Sequence, residues 1–126
     1  MAVALVCRCA LRAFGLQSLL TDLGKPPAWI ASTAAEATHW LARHPPTHLL
    51  VDFVLPDASG PRGLAALRLV HPDLAAVLLV EDLHPAVLAL AVRAGACAAL
   101  CTALPQATLR ARLQAFLAGK LTWTPA

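Results

Sequence analysis

Asp52 is the residue in this chain best placed to do chemistry. It closes the apolar run His48-Leu-Leu-Val51 and precedes the turn-rich stretch Pro56-Asp57-Ala58-Ser59-Gly60. A carboxylate at the carboxyl end of a buried strand sits where open α/β sheets place their functional crevice. The other reactive side chains are four cysteines and five histidines. Cys7 and Cys9 form a C-x-C pair, and Cys97 and Cys101 a C-x3-C pair. Neither is the C-x2-C spacing of common zinc sites, so buried apolar thiols are expected rather than a metal or redox centre. His39, His44, His48, His71 and His84 share no ligand-like spacing and are expected on the surface or at helix ends. Asp73 is expected in a turn and Asp22 near a helix end.

These residues are positioned by short apolar runs that alternate with helix-period segments. Val3 to Val6 reads as a buried strand, and Leu16, Leu19, Leu20 and Leu23 then recur at helical spacing until Gly24 and the Pro26-Pro27 break. Trp29 to Ala31 is the second strand. Ser32 or Thr33 caps a helix carrying Ala37, Trp40 and Leu41, which ends near Pro45-Pro46. His48 to Val51 is the third strand, and Leu64 and Leu67 mark a third helix. Ala76 to Val80 is the fourth strand, Pro85 suits the first turn of a fourth helix, Ala96 to Leu100 is the fifth strand, and Pro105 opens a last helix with Leu109, Leu113, Phe116 and Leu117 on one face. This βα pattern, repeated five times, predicts a parallel sheet covered on both faces with right-handed crossovers.

At 126 residues the chain fits one domain, and its 59% apolar content supplies a core without metal or disulfide. The charged fraction of 13% is low against the usual ~25%, which suggests apolar surface left for a partner. The net charge of +3 reflects few acids, with no run of bases, so direct nucleic-acid binding is disfavoured. The longest uncharged stretch, Ala94 to Leu109, is broken by Gly95, Pro105 and Gln106 and is too short to span a bilayer. No basic segment precedes the first apolar run, so it is not read as a signal peptide, and a cytoplasmic location follows by default. The turn Cys7-Arg-Cys-Ala-Leu-Arg12 lacks a phosphate cradle, which argues against a nucleotide or flavin enzyme.

The stretch from His48 to Gly60 resembles the receiver domains of two-component response regulators, in which an aspartate ending the third strand is followed by a Leu-Pro-Asp-x-Ser-Gly turn. Val87 to Leu100, with its Ala-Val-Arg-Ala-Gly-Ala core, is similar to the fourth helix and fifth strand of that family. Val3-Ala-Leu-Val6 and Gly15-Leu-Gln-Ser-Leu-Leu20 resemble the start of receivers that precede a LuxR or NarL type DNA-binding domain. The resemblance covers residues 1–120 as a receiver domain, with 121–126 as the start of a linker or tail. It implies an α/β fold: a doubly wound five-stranded parallel sheet of the flavodoxin-like, CheY-like (βα)5 type, with strand order 2-1-3-4-5.

Carried over position by position, the resemblance makes Asp52 the phosphoacceptor equivalent and marks departures around it. Cys7 and Arg8 stand where the family places an acidic pair for Mg²⁺, a cation that prefers carboxylate and water oxygens. Val80 replaces the hydroxyl residue that hydrogen-bonds the phosphoryl group. Glu81 replaces a small residue, and Thr102 replaces the lysine. Phosphoryl transfer depends on positioning and on neutralising the transferred oxygens, so phosphorylation is expected to be impaired and Mg²⁺ binding weak or absent. Arg8 is expected to pair with Asp52 or Asp57 in place of metal and lysine. No catalytic residue, metal or other cofactor is expected. The alternative is a thiol-responsive or purely structural interaction module.

Function is then expected to reside in a surface. Ala86-Val-Leu-Ala-Leu-Ala-Val92 has no polar side chain on any face, and a helix apolar all round is normally buried on more than one side. A homodimer or a protein partner is expected through the surface from the fourth to the last helix, or through the first and last helices. The resemblance also implies a sensor kinase as partner. DNA contact would come only through an output domain not present in this chain, and no membrane contact is expected.

Overall fold

The computed structural model describes residues 1–121; of the expected linker at 121–126, residues 122–126 lie outside the described residues. Five strands, β1 (Val3–Val6), β2 (Trp29–Ala31), β3 (His48–Asp52), β4 (Ala75–Val80) and β5 (Ala98–Cys101), alternate with five helices. These are α1 (Ala10–Asp22), α2 (Ala34–Arg43), α3 (Gly60–Val70), α4 (Pro85–Arg93) and α5 (Gln106–Leu117). All strand pairs are parallel, in the order β2-β1-β3-β4-β5. The expected strand order is the observed one.

Strands this short are held by burial on both faces. One face packs Ala4, Val6, Leu49, Val51, Ala76 and Leu78 against α2, α3 and α4. The other packs Leu5, Leu50, Val77, Leu79 and Leu100 against α1 and α5. Burying a leucine fully stabilises by about 1.5–3 kcal/mol, and the period-2 alternation of each strand contributes to both layers. The strand order reverses between β1 and β3. The crevice of such a sheet lies at that switch point, beyond the carboxyl ends, where Cys7, Arg8 and Asp52 fall.

Helix starts follow local chemistry. The Thr33 side chain accepts the Glu36 N–H at 3.1 Å, and the Glu36 carboxylate in turn accepts from the Ser32 N–H and hydroxyl at 3.2 Å. Ser59 caps α3 by accepting the Arg62 N–H at 3.2 Å, with Pro61 in the first turn. Three expectations change. Of the four thiols expected to be buried, Cys7 is, whereas Cys9 is exposed and Cys97 and Cys101 are half-buried. β5 starts at Ala98, two residues later than expected, because Gly95 at φ +82° ends α4 and the Ala96 N–H donates back to the Ala91 carbonyl. His48 lies at neither a helix end nor the open surface. It opens β3, half-buried, edge-on to Phe116 with ring centroids 5.1 Å apart.

Within the chain α4 buries only Ala91, while Leu88, Leu90 and Val92 remain exposed at 36%, 44% and 53%. A helix apolar on every face is thus covered on one side only.

Candidate functional site

Asp52 shares a sheet face with Leu50, the face that α1 covers, and it is 1% exposed. A carboxylate so buried needs compensation, and the start of α1 supplies it. The Arg8 backbone N–H donates to Asp52 Oδ2 at 2.9 Å, and Arg12 Nη1 donates to Oδ1 at 3.2 Å in an ion pair. Nη2 of the same guanidinium donates to Glu81 Oε1 at 2.8 Å. One arginine therefore ties α1 to the ends of β3 and β4. Burial opposes its charge, but the Glu81 hydrogen bond and the Asp52 charge outweigh this and raise its pKa. The two halves of the bridge differ in strength. Glu81 is 73% exposed, so its half is screened by water, whereas the Asp52 half is desolvated and costly to break.

The loop after β3 is folded tightly behind the carboxylate. The Gly60 N–H donates to the Phe53 carbonyl at 2.8 Å, and a Cβ on Gly60 would overlap the Asp52 carbonyl oxygen. Only glycine allows that approach. Asp57, on the same loop, accepts the Ala34 and Ala35 backbone N–H groups at 2.8 and 3.0 Å, closing the start of α2 from outside. Those two donors hold the Asp57 carboxyl below the usual carboxylate range.

Arg12 takes the role the sequence assigns to Arg8. Among the described residues the Arg8 side chain has no carboxylate partner; only its backbone reaches Asp52. Asp57 pairs with neither arginine. The signal for Arg12 was its place in the first turn of α1, the element that covers Asp52, whereas Arg8 lies ahead of the cap residue Cys9. The remaining site residues converge on the same sheet end. Val80 is buried at the end of β4 and its side chain offers no polar atom. The Thr102 hydroxyl donates to the Val80 carbonyl at 3.3 Å and is spent on the backbone. Cys7 is 2% exposed, and its thiol donates to the Cys9 carbonyl at 3.5 Å. Burial first, then the charge of Asp52, push the Cys7 pKa up to about 11, so it stays a neutral thiol at pH 7.

A cleft of about 210 Å³ opens above Asp52, lined by Arg8, Arg12, Val80, Glu81 and Asp82 among others. Its donor set does not suit magnesium. The two positions that would carry metal-binding carboxylates hold a protonated thiol and an arginine, and the Arg12 guanidinium is the cation already on Asp52. Among the described residues no three His, Cys, Asp or Glu side chains cluster as metal ligands.

No protein-family model matches the chain, and no curated protein matches it. Solved structures do. A two-component response regulator of the LuxR family from Aurantimonas sp. superposes with a TM-score of 0.88 at 22% identity, over 98% of this chain and 89% of that one. The isolated REC domain of RcsB from Salmonella enterica serovar Typhimurium, with the phosphomimetic BeF3⁻, gives 0.87 at 18%, over 99% and 93%. The signal receiver domain of the response regulator NarL from Mycobacterium tuberculosis gives 0.80 at 22%, over 92% and 95%. This is the receiver fold. At such identities the likeness establishes the receiver architecture along the whole described chain and leaves the pocket chemistry to be argued from this chain's residues. No helix among the described residues is long and apolar enough to cross a membrane.

Proposed function

We propose that this chain is a signal receiver domain of a two-component-type regulatory protein that works through protein–protein contacts, with phosphorylation of Asp52 impaired. The observation that carries the reading is the Arg12 guanidinium seated on the buried Asp52 carboxylate. Both carboxylate oxygens are engaged, one by Arg12 and one by the Arg8 N–H, so the nucleophile a phosphodonor would need is already occupied. Attack by Asp52 would require breaking a desolvated ion pair with no metal ligands at hand to draw in the donor. The pair fixes α1, β3 and the loop after β4 in one arrangement without a phosphoryl group.

In this reading the domain is not an enzyme and needs no cofactor. It acts in the cytoplasm on an output such as transcription, through an attached or partner domain, and a sensor kinase is dispensable for its resting state. The neutral, buried Cys7 argues against a thiol response at that position, and the exposed Cys9 is the thiol on which that alternative would act. Incubation with a small phosphodonor and Mg²⁺, followed by intact-mass measurement, tests the proposal: the mass is expected to stay unchanged. A gain of one phosphoryl group, mapped to Asp52 and lost in Asp52→Asn, would overturn it.

A further inference from the structure

Two charged residues lining the Asp52 cleft take no part in the Arg12 bridge. Arg8 lies on the loop after β1 and Asp82 on the loop after β4. Both are exposed, and among the described residues neither side chain has an ion-pair or hydrogen-bond partner. β1 and β4 flank β3 on opposite sides, so the two loops face each other across two strand spacings, roughly 9.5 Å. Val54, Val80 and Val87 add apolar wall to the same cleft.

This lining selects against simple ions. A lone anion drawn to Arg8 would also meet Glu81 and Asp82, and a lone cation drawn to Asp82 would also meet Arg8 and Arg12. Like charge set against like costs affinity, whereas a molecule that carries both signs avoids the conflict. The cleft volume of about 210 Å³ lies below the ~300–1,000 Å³ of sites for drug-sized ligands, so the occupant is small. We propose that the cleft binds a free α-amino acid with an apolar side chain, its carboxylate on Arg8, its ammonium on Asp82 and its side chain against Val54, Val80 and Val87. Asp52 and Arg12 stay paired beneath it. Such a ligand touches the loops after β1 and β3 and, through Val87, the first turn of α4. It would bring a signal into the cleft by non-covalent binding. This site rests on the reading that Arg12 occupies Asp52, and it names what the cleft takes in place of a phosphoryl group. Exposed charge contacts are individually weak, so millimolar affinity is expected.

Titration of the full, isotope-labelled chain with L-leucine, followed through its amide chemical shifts, tests it. Saturable shifts are expected at Arg8, Val54, Asp82 and Val87. Isoamylamine, which lacks the carboxylate, and isocaproate, which lacks the ammonium, are each expected to bind about fivefold more weakly than L-leucine. Arg8→Ala and Asp82→Asn are each expected to weaken L-leucine by a similar factor, whereas Arg93→Ala, at the far end of α4, should leave it unchanged. No saturable shift, shifts centred away from the cleft, single-charge analogues that bind as tightly as L-leucine, or Arg8 and Asp82 variants that bind as the parent does would each overturn the proposal. The analogue comparison uses the unmodified chain, and unchanged thermal unfolding of the variants separates lost binding from lost folding. A chain that ignores L-leucine and also stays unmodified by the phosphodonor loses this ligand and keeps the reading of Asp52; phosphorylation of Asp52 would remove that reading whatever the titration shows.

Discussion

The carboxyl end of the sheet and the outer side of α4 lie in the same molecule under opposite rules. Around Asp52 every buried side-chain N or O atom has a hydrogen-bond partner, and an ion pair is closed internally. Along α4, Leu88, Leu90 and Val92 stay exposed, and among the described residues Asp82 and Arg93 form no ion pair. The first region has satisfied itself; the second has not. Under the proposed receiver reading, a covalent signal would enter at the pocket, and a pocket neutralised by its own arginine would leave the work to the exposed surface.

The contrast can be broken by substitution. Arg12→Ala is expected to have the largest effect, about 3 kcal/mol of lost stability in denaturant unfolding, because it strands a buried carboxylate. Arg12→Lys is expected to lose less, keeping the charge without the fork that reaches both Asp52 and Glu81. A variant of unchanged stability would show that water, and not Arg12, compensates Asp52.

A smaller effect is expected from pH. The folded Cys7 thiol titrates at about 11, above its value in the unfolded chain, so the unfolded state gives up its proton first as pH rises. Stability is therefore expected to be intact at neutral pH, to fall as pH climbs past the ordinary thiol value, and to level off above about 11. Cys7→Ala should flatten that part of the profile; an identical profile in the variant would assign the loss elsewhere. The smallest effect is expected on the other side of the comparison. Leu90→Ser removes an exposed side chain with no covering partner in the monomer, and unfolding at low concentration should change by only about 0.5 kcal/mol. A loss comparable to that of Arg12→Ala would mean α4 is packed within the chain after all.

Much of the architecture was legible because it is written locally. The apolar runs at Val3 to Val6 and Ala76 to Val80 are strands on their own terms, and the spacing of Leu64 and Leu67 marks α3. Asp52 was legible for the same reason, as the last residue of such a run. What the sequence misassigned depends on separation. Arg12 meets Asp52 across 40 residues, and which of two arginines one turn apart faces the carboxylate is decided by the rotation of α1 as it packs on Leu5 and Leu50. In sequence His48 groups with the surface and helix-end histidines because none shares a ligand-like spacing, yet its ring packs edge-on to Phe116 from the far end of the chain. The apolar composition of α4 was read correctly. Its burial was not, since Ala91 is the one fully buried residue of α4.

Asp57 has a consequence beyond its own loop. Its carboxylate closes the first two amides of α2, at Ala34 and Ala35, from a position 22 and 23 residues further along the chain. Those amides can exchange with solvent hydrogen whenever the carboxylate lets go, whether the exposed Asp57 side chain turns away or its loop lifts. They are a built-in gauge of how firmly the start of α2 is tied to the loop after β3.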